Sequence, residues 1–128
     1  MNSGKLRVLN GALLNTMADF SNTGTLTIGA ASVFTVNGSY SQDPSATLEI
    51  QLGGTAATGQ FGQLLVTGTA ALGGTLTVTS VNNYVPQSAD SFTILTFAAR
   101  AKTDFANAPA GFSLTYDDGM GTLTLTAQ

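Results

Sequence analysis

One short β-strand phrase occurs four times along this chain. Gly or Ala is followed by Thr, Leu, one further residue and a second hydrophobic residue, at 24–28 (GTLTI), 46–50 (ATLEI), 74–78 (GTLTV) and 121–125 (GTLTL). Apolar and polar residues alternate with a period of two, which predicts strands that turn their leucines to one buried face. VFTVN at 33–37 follows the same alternation.

Turn signals separate these strands, and no stretch shows a sustained helical period. The signals are Asn10-Gly11, Asn37-Gly38, Asp43-Pro44, Gly53-Gly54, Gly73-Gly74 and Asp118-Gly119. Two all-β architectures are compatible with short strands and Gly-rich corners: a parallel β-solenoid and an antiparallel β-sandwich. The near-copies of one phrase favour the solenoid, because stacked coils place like residues above like. We therefore expect Leu76 to stack near Leu48, with Thr77 facing water.

The C-terminal third has a different pattern. Asp90 to Phe97 is apolar on both faces, which predicts a strand buried on both sides. Phe112 to Thr126 places two alternating strands around Asp118-Gly119 and predicts a hairpin. We place solenoid coils at residues 1–83 and a β cap, packed on the last coil, at 84–128.

The N-terminal end is predicted to be open. Strand-like sequence begins around Leu6 to Leu9, so we expect unpaired backbone groups, with Leu6 and Val8 facing solvent. This end would pair with neighbouring coils of a longer parent chain, from which the segment is excised with Met1 supplied for expression. Free in solution, it would self-associate.

Composition excludes several classes of function. Charged residues make up 9% of the chain and only four are basic, too few for a nucleic-acid interface or a polybasic membrane patch. The chain has no His and no Cys, which excludes imidazole relays, thiol nucleophiles and thiolate metal sites. No apolar run approaches the roughly 18 residues of a membrane-spanning helix.

The seven carboxylates are the remaining candidates for chemistry: Asp19, Asp43, Glu49, Asp90, Asp104, Asp117 and Asp118. Glu49 lies on the outward face of its strand and the others lie near turns, an arrangement typical of solvated and turn carboxylates. Asp117 and Asp118 lack the ligand count of a calcium loop. We predict no catalytic, cofactor-binding or metal-ligating residue and no cofactor.

Residues 61–97 resemble a segment of bacterial autotransporter-type and filamentous-haemagglutinin-like repeat proteins. The matching run is Gln63, Leu64, Val66, Thr67, Gly68, Leu72, Gly73, Gly74, Thr75, Leu76 and Val78, while Ala89 replaces the usual Gly before Asp90. Residues 22–42 resemble the coil that often precedes it. The resemblance implies a right-handed parallel β-helix in an exported passenger, outside the cell or on the bacterial surface.

The function expected on these grounds is that of a non-catalytic structural or display segment of an adhesin-like protein. Two alternatives stay open. One is a self-assembling extracellular filament subunit. The other is a carbohydrate-binding module, for which Tyr40, Tyr84, Tyr116 and a few Phe residues are the available aromatic platforms.

Overall fold

The computed structural model describes residues 2, 4–9, 11–101 and 104–128, and only the backbone of Ala56. The protein is all-β, with 52% of its residues in strands and no α-helix in the described ranges. A 3-10 turn spans Ala56–Thr58. No helix of the described part is long and apolar enough to cross a membrane. Asn10, half of one predicted turn signal, lies outside the described residues.

The first twelve strands form four consecutive units of three strands each. Unit 1 contains β1 (Lys5–Val8), β2 (Leu13–Thr16) and β3 (Phe20–Asn22), and unit 2 contains β4 (Thr25–Ile28), β5 (Val33–Val36) and β6 (Tyr40–Gln42). Unit 3 contains β7 (Thr47–Leu52), β8 (Gln63–Val66) and β9 (Thr69–Ala71), and unit 4 contains β10 (Thr75–Ser80), β11 (Ser91–Thr96) and β12 (Ala99–Arg100). Two further strands, β13 (Phe112–Asp117) and β14 (Thr122–Ala127), complete the chain.

Each strand of one unit pairs in parallel with the corresponding strand of the next unit. This pairing produces three sheets: sheet 1 in the order β1-β4-β7-β10, sheet 2 in the order β13-β14-β11-β8-β5-β2, and sheet 3 in the order β12-β9-β6-β3. In sheet 1, Leu26 lies beside Leu48, and Leu48 lies beside Leu76, which confirms the predicted stacking. The parallel pairing is compatible with a β-solenoid, and the alternative of an antiparallel sandwich is wrong.

The core lies between the three sheets and is built from the inward residues of every unit. Leu26, Leu48 and Leu76 are fully buried, as the alternation predicts. The expectation that Val8 faces solvent is wrong, because Val8 points inward beside Ile28 and is only 3% exposed. Leu6 also packs against the core and is partly buried.

The double-sided apolar pattern of residues 90–97 is explained by a β-bulge. The register between β11 and β14 shifts between Thr93 and Leu95. This extra residue lets Ile94 and Leu95 both reach the core, while Ser91 and Thr93 stay exposed. The prediction of a strand buried on both faces is therefore wrong, since the outer face of β11 is polar.

The parallel pairing continues beyond residue 84, because β11 pairs with β8 and β12 pairs with β9. Antiparallel pairing begins with β14, which lies against β11, and β13 completes the predicted hairpin. Gly121 ends the turn at a φ of +70°, and a Cβ there would lie 2.1 Å from the carbonyl oxygen of Phe97. Only glycine fits this approach.

Candidate functional site

Every carboxylate of the chain accepts at least one hydrogen bond. Glu49 lies on the outer face of sheet 1 and joins three strands: one carboxylate oxygen accepts from the Thr27 hydroxyl at 2.9 Å, and the other accepts from the Thr79 hydroxyl at 2.6 Å. Thr27 is buried beneath this contact although it faces outward. Because both oxygens are engaged by hydroxyls of the same sheet, Glu49 acts as a cross-strand clamp.

Three aspartates fix corner loops by accepting hydrogen bonds. Asp43 accepts from the Ser45 hydroxyl at 2.7 Å and from the Ser45 amide at 2.9 Å, and these bonds lower the pKa of Asp43. Asp19 accepts from the Ser39 amide of the next unit at 2.8 Å. Asp117 accepts from the Met120 amide at 3.1 Å. All three are turn carboxylates, as the sequence predicts.

Asp90 closes the loop between β10 and β11. It accepts hydrogen bonds from the Gln87 amide at 2.9 Å and from the Tyr84 hydroxyl at 2.8 Å, and these contacts lower the pKa of Asp90. Desolvation together with the Asp90 contact raises the pKa of Tyr84 to about 12. Tyr84 also packs at right angles against Phe92, so its half-buried ring is anchored to the core.

Arg100 ties the hairpin to unit 4. Its Nε donates to Asp118 at 2.8 Å, its Nη1 pairs with Asp104, and its guanidinium lies 4.5 Å from the ring centre of Tyr116. The hydrogen bond to Asp118, followed by weaker charge effects, raises the pKa of Arg100. Asp118 is therefore a structural anion rather than an isolated turn residue, a role that its sequence position did not indicate. That it binds no metal stays a prediction.

A ladder of side-chain amides runs along the corner between sheets 3 and 1, and two of them, Asn22 and Gln42, are buried. Asn2 donates to the Asn22 side chain at 3.1 Å, and Asn22 donates to the carbonyl of Thr47 at 3.1 Å. Gln42 donates to the carbonyl of Gly73 at 2.7 Å. Because Asn22 and Gln42 are buried, their amides satisfy backbone carbonyls that have little access to water.

A groove of about 540 Å³ lies at the corner between sheets 1 and 2. It is lined by Leu9, Gly11, Ala30, Ala31, Gln51, Gln60, Val81 and Asn82. The described residues of the lining contribute amides and aliphatic groups and no charged side chain, so the groove suits a neutral ligand that carries hydroxyl or amide groups. Sequence reasoning missed this groove, because it is formed by corner loops from successive units that share no motif.

The predicted candidates for chemistry are not brought together at this groove. None of the seven carboxylates lines it. The described residues also contain no group of three or more Asp or Glu side chains that could hold a metal ion. The groove can therefore bind a ligand through hydrogen bonds and apolar contact.

A scan against protein-family models finds no match, and a search of curated proteins finds no relative.

Proposed function

We propose that this chain is a right-handed parallel β-helix that acts as a non-catalytic structural or display segment of an exported bacterial protein. The observation that carries the proposal is the in-register stacking of Leu26, Leu48 and Leu76 in sheet 1, each with no exposed surface. Crossover connections between parallel strands of one sheet are right-handed in about 98% of cases, which supports the proposed hand.

A stack of this kind is suited to work as a spacer. Each unit adds one strand spacing, about 4.8 Å, to the length of the stack, so four units give a column of roughly 19 Å. Each unit contacts mainly its neighbours, and the backbone ladders run along the column. The carboxylates brace strands and corners, as Glu49 and Asp90 do. The resemblance to autotransporter-type passengers supports the proposed location on the cell surface or outside the cell.

A carbohydrate-binding role is the second candidate, and the corner groove favours it. Gln51, Gln60 and Asn82 present amides to a cavity of suitable size for a short neutral saccharide. The groove has no aromatic platform, which makes it a weaker saccharide site than an aromatic-lined cleft. We therefore rank this role below that of a spacer.

Surface display tests the leading proposal. The chain is placed between an outer-membrane anchor and an epitope, and epitope retention is measured after exposure of the cells to protease. We expect the intact chain to keep its epitope, whereas Leu48→Asp, which puts a charge into the core, should lose it. Thr77→Ala is the surface control and should behave like the original chain. Equal loss from all three would overturn the spacer role.

A glycan array run with the original chain and with Gln60→Ala distinguishes the two candidates. We expect no saccharide to be retained by either protein. Saccharide binding that disappears in Gln60→Ala would instead establish the groove as the functional site.

A further inference from the structure

The corner between β5 and β6 contains a chemically labile pair of residues, Asn37 and Gly38. Asn37 is exposed, and its side-chain Nδ2 donates to the Thr16 carbonyl oxygen of unit 1 at 2.9 Å. The backbone amide of Gly38 donates no hydrogen bond to any residue that the structure describes. An exposed carboxamide and an unengaged amide nitrogen therefore lie next to each other at this corner.

Packing between units 1 and 2 admits only glycine at position 38. A Cβ there would lie 2.6 Å from Oδ1 of Asp19 and 2.8 Å from the backbone nitrogen of Asp19. The missing Cβ also leaves the nitrogen of Gly38 less shielded than the amide nitrogen of any other residue type. The fold thus places an unshielded backbone nucleophile directly after an exposed asparagine.

We infer that Asn37 is a site of spontaneous deamidation. The Gly38 amide loses its proton to solvent base, and its nitrogen forms a bond to Cγ of Asn37, which closes a succinimide ring. The bond between Cγ and Nδ2 breaks, and the leaving nitrogen takes up protons from water and departs as ammonia. A water molecule then opens the ring at either carbonyl and gives aspartate or isoaspartate. This inference goes beyond the proposed function and rests only on the fold.

The contacts of Asn37 with Thr16 make the rate depend on the fold. A carboxamide fixed on the Thr16 carbonyl is less free to turn its Cγ toward the Gly38 nitrogen. The backbone amide of Asn37 donates to the same carbonyl at 3.0 Å, which holds the main chain of the corner as well. We therefore expect deamidation to be slower in the folded chain than in the unfolded chain, where neither contact exists.

The product weakens the contact between units 1 and 2. A carboxylate at position 37 has no proton to donate, so it would face the Thr16 carbonyl as a second acceptor. It also adds a negative charge close to Asp19, whose Oδ1 borders Gly38. No Lys or Arg that could offset this charge occurs in the three corners stacked here, at residues 17–19, 37–39 and 67–68.

Peptide mapping tests the modification, with Asn107 as the internal control. Asn107 is also exposed and donates its Nδ2 to the Thr75 hydroxyl at 3.2 Å, but Ala108 follows it. The folded chain is incubated at mildly alkaline pH and digested with pepsin in acid, and mass spectrometry measures conversion at each asparagine. The map also separates Asn37 from Asn10, which precedes Gly11.

We expect Asn37 to convert about tenfold faster than Asn107, which corresponds to about 1.4 kcal/mol in activation free energy. Conversion of Asn37 should become faster still when denaturant unfolds the chain. Equal rates at Asn37 and Asn107 in the folded chain, or conversion of Asn37 only in denaturant, would overturn the inference.

Asn37→Asp and Asn107→Asp test the consequence for stability. Both variants add the same charge, but the Thr75 hydroxyl can donate to a carboxylate at position 107, whereas the Thr16 carbonyl cannot donate to one at position 37. We expect a lower melting temperature for Asn37→Asp than for Asn107→Asp. The aged original chain gives a second measurement that needs no variant to fold. Its fraction modified at residue 37, separated by anion exchange, should melt below the unmodified fraction. Equal melting temperatures in both comparisons would refute the weakened contact.

Discussion

Replacement of Leu76 by Ala tests the register on which the whole fold depends. Leu76 is fully buried beside Leu48, and on its other side the backbone is held by Asn107. The substitution removes about three methylene equivalents, each worth about 0.8 kcal/mol of transfer free energy, and leaves a cavity between packed layers. We expect the free energy of unfolding to fall by about 3 kcal/mol, within the range of roughly 2–5 kcal/mol found for buried leucines.

Thr77→Ala is the matched control. Thr77 follows Leu76 on the same strand, lies beside Glu49 on the outer face of sheet 1 and is half-buried. Its truncation should change the free energy of unfolding by less than about 1 kcal/mol. Equilibrium urea unfolding followed by circular dichroism measures both values, with the slope of the transition as a check that the unfolded states match. Equal losses at the two positions would refute the assignment of inner and outer faces.

Three further substitutions test the buried amide of Asn22, the corner at Gly74 and the loop that Asp90 closes. Asn22→Ala removes the donor to the Thr47 carbonyl and should lower the free energy of unfolding by about 1–3 kcal/mol, measured by urea denaturation. Gly74→Ala should lower the melting temperature, because Gly74 has a φ of +68° and a Cβ there would lie 2.2 Å from the carbonyl oxygen of Ala46. The pKa of Asp90 is lowered in the folded state, so its stabilising effect is present above the unfolded pKa of about 3.9 and is lost as pH falls through the folded value. Asp90→Asn should therefore weaken the acid dependence of the melting temperature, and an unchanged dependence would contradict this.

The strand phrases predict the inner face of sheet 1 well because the signal is local and repeated. Leu26, Leu48 and Leu76 each sit two residues from a second inward residue, and the structure stacks all three. Their unequal separations along the chain do not disturb this stacking, since the longer corner between β7 and β8, which includes the turn Ala56–Thr58, extends outside the sheets. Insertions at corners cost little when the flanking strands keep their register.

Other features depend on contacts that alternation cannot reveal. In the sequence, the bulge at Ile94 has the pattern of a strand buried on both faces, because a strict period of two places successive residues on opposite faces. The amide ladder did leave a signal, since Asn2 and Asn22 each precede an inward leucine, Leu6 and Leu26, by four residues. No sequence pattern indicates the corner groove, because its walls come from loops of different length.

The location of the polar side chains limits where a function can lie. A parallel stack without helices has to satisfy corner carbonyls and amides with side chains, because neighbouring strands cover only the straight segments. In this chain Asn22 and Gln42 do so in the interior, and Asp43 and Asp90 do so at the surface. Groups held in this way are poor candidates for chemistry, since a reacting group would have to break a contact that supports the corner. If the corner groove binds a ligand, recognition should therefore depend on shape and hydrogen bonds, because its described lining carries no charged side chain.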